Sequence, residues 1–170
     1  MRRYLVVANQ TLLGLWLGEE LRARIRAGAC SFFVLVPNTR AEHYDPVGAG
    51  GTLPPAGMWW WATDYAGPDS DEEATDQAAG RLRRLLADLA ALGVPAEGDL
   101  GSADPLAAIG TTLAGREFDE IIVATLPRRV SRWLGADLPH QAERFGLPVT
   151  TVIARPAPPS GQPQAESRPA

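Results

Sequence analysis

Tyr4-Leu5-Val6-Val7-Ala8, then Leu13, Leu17, Leu21 and Ile25 at four-residue spacing, then Ser31-Phe32-Phe33-Val34-Leu35-Val36: this opening stretch decides the fold. The first run is apolar without alternation, the pattern of a parallel strand buried on both faces. The leucine series, with Glu and Arg between its members, marks one face of a helix, and Gly28 stands where that helix should stop. The second apolar run, closed by Pro37, completes a strand–helix–strand unit, whose parallel strands need helices packed on them.

Working outward, the pattern repeats. After an irregular segment over 38–69, rich in Gly and Pro and carrying Trp59-Trp60-Trp61, Ser70 and Glu73 have capping-box spacing. Ala78, Leu82, Leu85, Leu89 and Leu92 then predict a helix ended by Gly93. Residues 95–99 read as a weak third strand, and Asp104-Pro105 as the N-cap and first residue of a helix that points Leu106, Ile109 and Leu113 inward. Residues 118–125 form a central strand, and Val130 to Phe145 a helix broken at Pro139, with Asp137 expected to cap its second piece. Leu147 to Ile153 is the last strand. The 155–170 tail, with five prolines, reads as disordered. The fold expected is α/β, a doubly wound five-stranded parallel sheet of order 3-2-1-4-5 over residues 1–154 with helices on both faces.

Composition limits the chemistry. The chain has 170 residues, enough for one domain with a substantial core. All 16 of its Lys+Arg positions are arginine, which excludes a P-loop lysine or a Schiff-base lysine. The single Cys30 cannot form an internal disulfide and reads as a small buried apolar residue, and His43 and His140 stand far apart. No metal is therefore expected; His43 with Glu42 and Asp45 reads as loop solvation. A net charge of -4 argues against nucleic acid or anionic membrane as partner. Glu19, Glu20, Arg22, Arg24 and Arg26 rule out reading the N-terminus as a secretion signal, and no apolar run approaches the roughly 20 residues of a spanning helix. A cytoplasmic location is expected.

In doubly wound sheets a ligand sits beyond the carboxyl ends of the strands, where strand order reverses. With strands 1 and 4 adjacent, that crevice is bordered by Asn9-Gln10-Thr11 and by Thr125-Leu126-Pro127-Arg128-Arg129, with Val36 at the end of strand 2 beside it. Ser131 and Arg132 complete the ligand-contact candidates: guanidinium forks and helix-start amides suit an anion. Trp59, Trp60 and Trp61 would form a lid, an interface anchor or a self-packed insertion. Ser131, Asp137 and His140 have the residue types of a hydrolase triad but lack a Gly-x-Ser-x-Gly elbow, so no catalytic residue is assigned.

Over roughly residues 3–154 the chain resembles the universal stress protein family, within the adenine-nucleotide alpha hydrolase-like superfamily. The resemblance is most specific from Glu120-Ile121-Ile122-Val123 through Ser131-Arg132-Trp133-Leu134 to Leu147-Pro148-Val149, which look like the family's fourth strand, phosphate-contacting turn, last helix and final strand. It implies a non-enzymatic stress-response protein binding a small ligand, with ATP or another adenine nucleotide as the cofactor-like candidate. Nucleotide-binding members carry two glycines after the fourth strand and a Gly-Ser or Gly-Thr pair later, whereas this chain has Leu126, Pro127, Arg128, Arg129 and Val130, then Gly135-Ala136-Asp137. Proline lacks an amide, and Asp137 would repel phosphate. One expectation is thus a small anionic ligand held by Arg128, Arg129 and Arg132. The alternative is a degenerate member without nucleotide binding, acting as an interaction module that forms a homodimer through the last strand, as the family often does. A nucleotide-processing enzyme of the same superfamily is a third, weaker reading.

Overall fold

The computed structural model describes residues 1–8, 14–38, 71–125 and 137–153. In chain order the elements are β1 (Arg2–Val7), α1 (Leu15–Ala27), β2 (Cys30–Pro37), α2 (Asp71–Ala91), β3 (Ala96–Gly101), α3 (Pro105–Gly115), β4 (Glu120–Thr125), α4 (Leu138–Ala142), a single 3-10 turn (Glu143–Phe145) and β5 (Val149–Ile153). The five strands form one parallel sheet in the order β3-β2-β1-β4-β5. The expected fold class and strand order are therefore observed.

Each strand feeds two cores because its side chains alternate between faces. Tyr4, Val6, Phe32, Val34, Ile122 and Ala124 face one layer, where Leu17 and Leu21 of α1 and Ala78, Leu82, Leu85 and Leu89 of α2 cover them. Leu5, Val7, Leu35, Ile121 and Val123 face the other, under Ala108 and Ile109 of α3 and Leu138 and Ala142 of α4. Both helices met while the chain runs outward from β1 to β3 lie on one face. Both met after it returns to β4 lie on the other, as right-handed crossovers require.

Local chemistry sets the boundaries. Asp104 accepts hydrogen bonds from the Leu106 amide at 2.9 Å and the Ala107 amide at 3.3 Å, with Pro105 following, so the expected cap of α3 is formed; such a cap contributes about 1 kcal/mol. Gly93, at φ 70°, terminates α2 in the left-handed conformation that glycine adopts without a Cβ clash. Residues β3 has in place of a strong strand pattern explain its register. A Cβ on Gly98 would lie 2.6 Å from the Val34 carbonyl oxygen and 2.7 Å from Leu82 Cδ1, and one on Gly101 2.7 Å from Ala108 Cβ. The two glycines let helices on opposite faces approach, which carries β3 to Gly101, past the Asp99 end expected from sequence.

One expectation is corrected. Asp137 precedes α4 but caps nothing with its side chain: its backbone is left-handed, φ 55° and ψ 37°, whereas an N-cap needs an extended backbone to aim its oxygen at the first-turn amides. The expected capping serine Ser70, the insertion with Trp59, Trp60 and Trp61, and the 155–170 tail lie outside the described residues.

Candidate functional site

The reversal of strand order falls between β1 and β4. Val7 lies opposite Val123, so the next residues, Ala8 and Ala124, bring the two carboxyl ends together at the crevice position. Ala8 donates its amide to the Leu35 carbonyl at 3.2 Å, which holds the exit of β1 against β2. Thr125 closes β4, 3% exposed and the sole buried polar side chain among the described residues, with Ile153 of β5 beside it.

Four helix N-termini point to this same edge, and three carry carboxylates: Asp71-Glu72-Glu73 open α2, Asp104 caps α3, and Asp137 precedes α4. Asp104 meets the first-turn amides of α3 directly and Glu72 and Glu73 lie in the first turn of α2, whereas Asp137 makes no such bond to α4. The N-terminus of α1 differs. Gly14 stands at its N-cap with no side-chain hydrogen bond, and its first turn holds no acid. That end is the first described helix start after β1 and lies on the switch-point side of the sheet, with no carboxylate in its first turn.

On the neighbouring rim, Asn38 extends β2 by donating its amide to the Gly101 carbonyl at 3.1 Å. Its side-chain amide donates to Thr75 Oγ1 at 3.1 Å, fixing the start of α2 to the sheet edge. Sequence reasoning did not single out Gly14, Asn38 or Thr75.

Of the sequence-predicted ligand contacts, Val36 and Thr125 are described. The Val36 side chain is fully buried among the core residues beneath α1 and α2, and Thr125 stands at the crevice. Asn9, Gln10, Thr11, Leu126, Pro127, Arg128, Arg129, Ser131 and Arg132 lie outside the described residues, as does His43 with its neighbours. The His140 ring is exposed and pairs through Nδ1 with Glu143 Oε2 at 3.1 Å. Cys30 is 6% exposed, and burial pushes its thiol above its ordinary value of 9.0, so it stays protonated and inert, as expected of a core residue. Among the described residues no three His, Cys, Asp or Glu side chains gather as a metal site, and no helix is long and apolar enough to cross a membrane.

A concavity of about 700 Å³ lies at the opposite, amino-terminal edge of the sheet. Its charges are already used. Arg116 pairs with Glu97 at 2.6 Å and lies over the Phe33 ring at 4.5 Å, and Arg3 pairs with Glu117 at 3.0 Å. Ion pairs of this kind knit surface loops. The switch point is the better candidate because it combines the topological crevice with a helix start whose first turn holds no acid. Comparison of the chain with protein-family models gives no match, and comparison with curated proteins gives none either.

Proposed function

We propose that the chain is a non-enzymatic, universal-stress-protein-like binder of a small anionic ligand, a nucleotide by preference, seated at the carboxyl ends of β1 and β4. The observation that carries the reading is the acid-free first turn of α1, on the switch-point side of a sheet whose order β3-β2-β1-β4-β5 reverses between β1 and β4. The ligand's anionic group would take the first-turn amides of α1, with Arg128, Arg129 and Arg132, which follow β4 in sequence, supplying charge in place of the family's glycine amides. Thr125 would offer its hydroxyl from the crevice floor.

Thermal shift of the full chain with ATP, AMP and cyclic AMP tests this, because a ligand that binds only the folded state raises Tm by mass action. A rise that disappears in Arg128→Ala/Arg129→Ala supports the reading; no rise at millimolar nucleotide ends it. The second reading, a module that self-associates through its last strand, is favoured by the position of β5: among the described residues it pairs only with β4, and Thr151 and Ile153 are exposed along it. Proline at Thr151 would then abolish a dimer without touching nucleotide response.

A further inference from the structure

We propose that the outer face of α2 is a self-association surface, on which a second copy of this chain packs antiparallel about Gly80, with Asp76 of each copy paired to Arg84 of the other. Asp76, Gly80 and Arg84 are spaced by four residues and so form one stripe, on the side of α2 opposite the buried Ala78, Leu82, Leu85 and Leu89. Asp76 and Arg84 are exposed, and neither side chain forms an ion pair or hydrogen bond among the described residues. A two-fold axis through Gly80 carries position 76 onto position 84, so one stripe is its own complement in charge.

Gly80 supplies the second reason. Glycine is unfavourable in a helix interior, and Gly80 stands in the middle of a 21-residue helix. Among the described residues nothing requires it: a Cβ there would meet no described atom within 4 Å, in contrast to Gly98 and Gly101, whose hydrogens are enclosed by neighbouring atoms. A missing side chain at the centre of a charge-complementary stripe is what close approach of two helices needs, and Ala87, farther along the same exposed face, is small as well. The occupant is a second copy because the pattern is palindromic in charge; a foreign acidic or basic partner would match only half of it. This surface is separate from the crevice and from the β5 edge.

The test is sedimentation velocity or light scattering on the full chain at low salt. Asp76→Arg and Arg84→Asp alone should each weaken association by about tenfold. The double exchange should restore it, because the pairing is then recreated in reverse. Gly80→Leu should weaken association by at least as much while leaving Tm at or above that of the unaltered chain, since the added side chain enters open space. Three results overturn the proposal: a monomer at about 0.5 mM protein in low salt, association unchanged in all three single variants, or a double exchange that fails to restore it.

Discussion

Glu120 stands at the head of a strand whose remaining residues are buried core, and removing its charge should cost far more than an acid at a strand entrance ordinarily would. Its Oε1 accepts from Arg24 Nη2 at 2.6 Å and from the Thr150 hydroxyl at 2.7 Å. Arg24 also pairs with Glu20 at 2.9 Å and lies 5.7 Å from the centroid of the Tyr4 ring. Burial by itself would lower the Arg24 pKa, but the hydrogen bond and charge of Glu120, with smaller help from Glu20 and Tyr4, hold it above its ordinary value. Losing one partner of a fully buried pair costs about 3–5 kcal/mol. Here the side chains of Arg24 and Glu120 are 24% and 12% exposed, so water recovers part of that. The expected cost of Glu120→Ala is about 2 kcal/mol. With a urea m-value of about 2 kcal/mol per molar for a domain of this size, the unfolding midpoint should fall by about 1 M with its slope unchanged. Replacing both partners by apolar residues, Arg24→Met with Glu120→Leu, removes the stranded charge together with its partner. It also relieves Arg24 Nε, which is buried without an acceptor. The double variant should therefore be more stable than either single one, giving a coupling of about 1.5–2 kcal/mol. Additive single effects, or a Glu120→Ala midpoint within error of the unaltered protein, would refute the claim that this cluster ties α1 to β4 and β5.

Two further predictions rest on packing and on a single thiol. Gly98→Ala should destabilise by about 1–3 kcal/mol in the same urea assay, because the new methyl would press on the Val34 carbonyl and Leu82 at once, while Gly80→Ala, facing open space, should stabilise by about 1 kcal/mol. The folded state holds the Cys30 proton more tightly than the unfolded chain does, so the thiol's contribution to stability is complete below pH 9.0 and falls as pH rises past it. Denaturation measured across that range should show a decline that Cys30→Ala lacks; equal slopes for the two proteins would contradict the burial.

Much of the fold was legible because its signals are local. Apolar runs without alternation gave β1, β2 and β4, and the four-and-three spacing of Ala78 to Leu89 gave α2, since burial on two faces or one leaves a period in the sequence. Residues whose role depends on contacts far along the chain were not legible. Arg24 looked like one more charge on a solvated helix face, and its partner Glu120 is 96 residues away. Only the polar heads of two apolar strands, Glu120 and Thr150, hinted at a network. The extent of β3 escaped because Gly98 and Gly101 lower strand propensity and act through helix approach, which no propensity encodes. Asp137 has the right residue type in the right place for a cap, and its left-handed backbone, stabilised by the freedom short polar residues have there, defeats the inference. The crevice follows from strand order and was legible, while its distinguishing feature, a helix first turn without an acid, depends on where α1 begins and left no local signal.

Charge along the rim also ranks the ligands. Among the described residues the rim running from the crevice toward β2 and β3 carries Glu72, Glu73, Asp99 and Asp104, and no arginine: those described lie along the helices or at the amino-terminal edge. A single phosphate held at the start of α1 would present little charge to that rim. A triphosphate of roughly twice that reach, extended along the same rim, would come within a Debye length of about 8–10 Å of several of them, and each added negative charge would be repelled. On the proposed reading, Arg128, Arg129 and Arg132, which follow β4 in sequence, would favour a compact anion near the β1–β4 boundary over an extended one. At equal concentration AMP or cyclic AMP should therefore raise Tm at least as much as ATP, and raising salt should narrow the difference by screening the rim. A shift for ATP well above that for AMP, persisting at high salt, would show that the terminal phosphates find their own cationic contacts, and would move the anion site away from the α1 N-terminus.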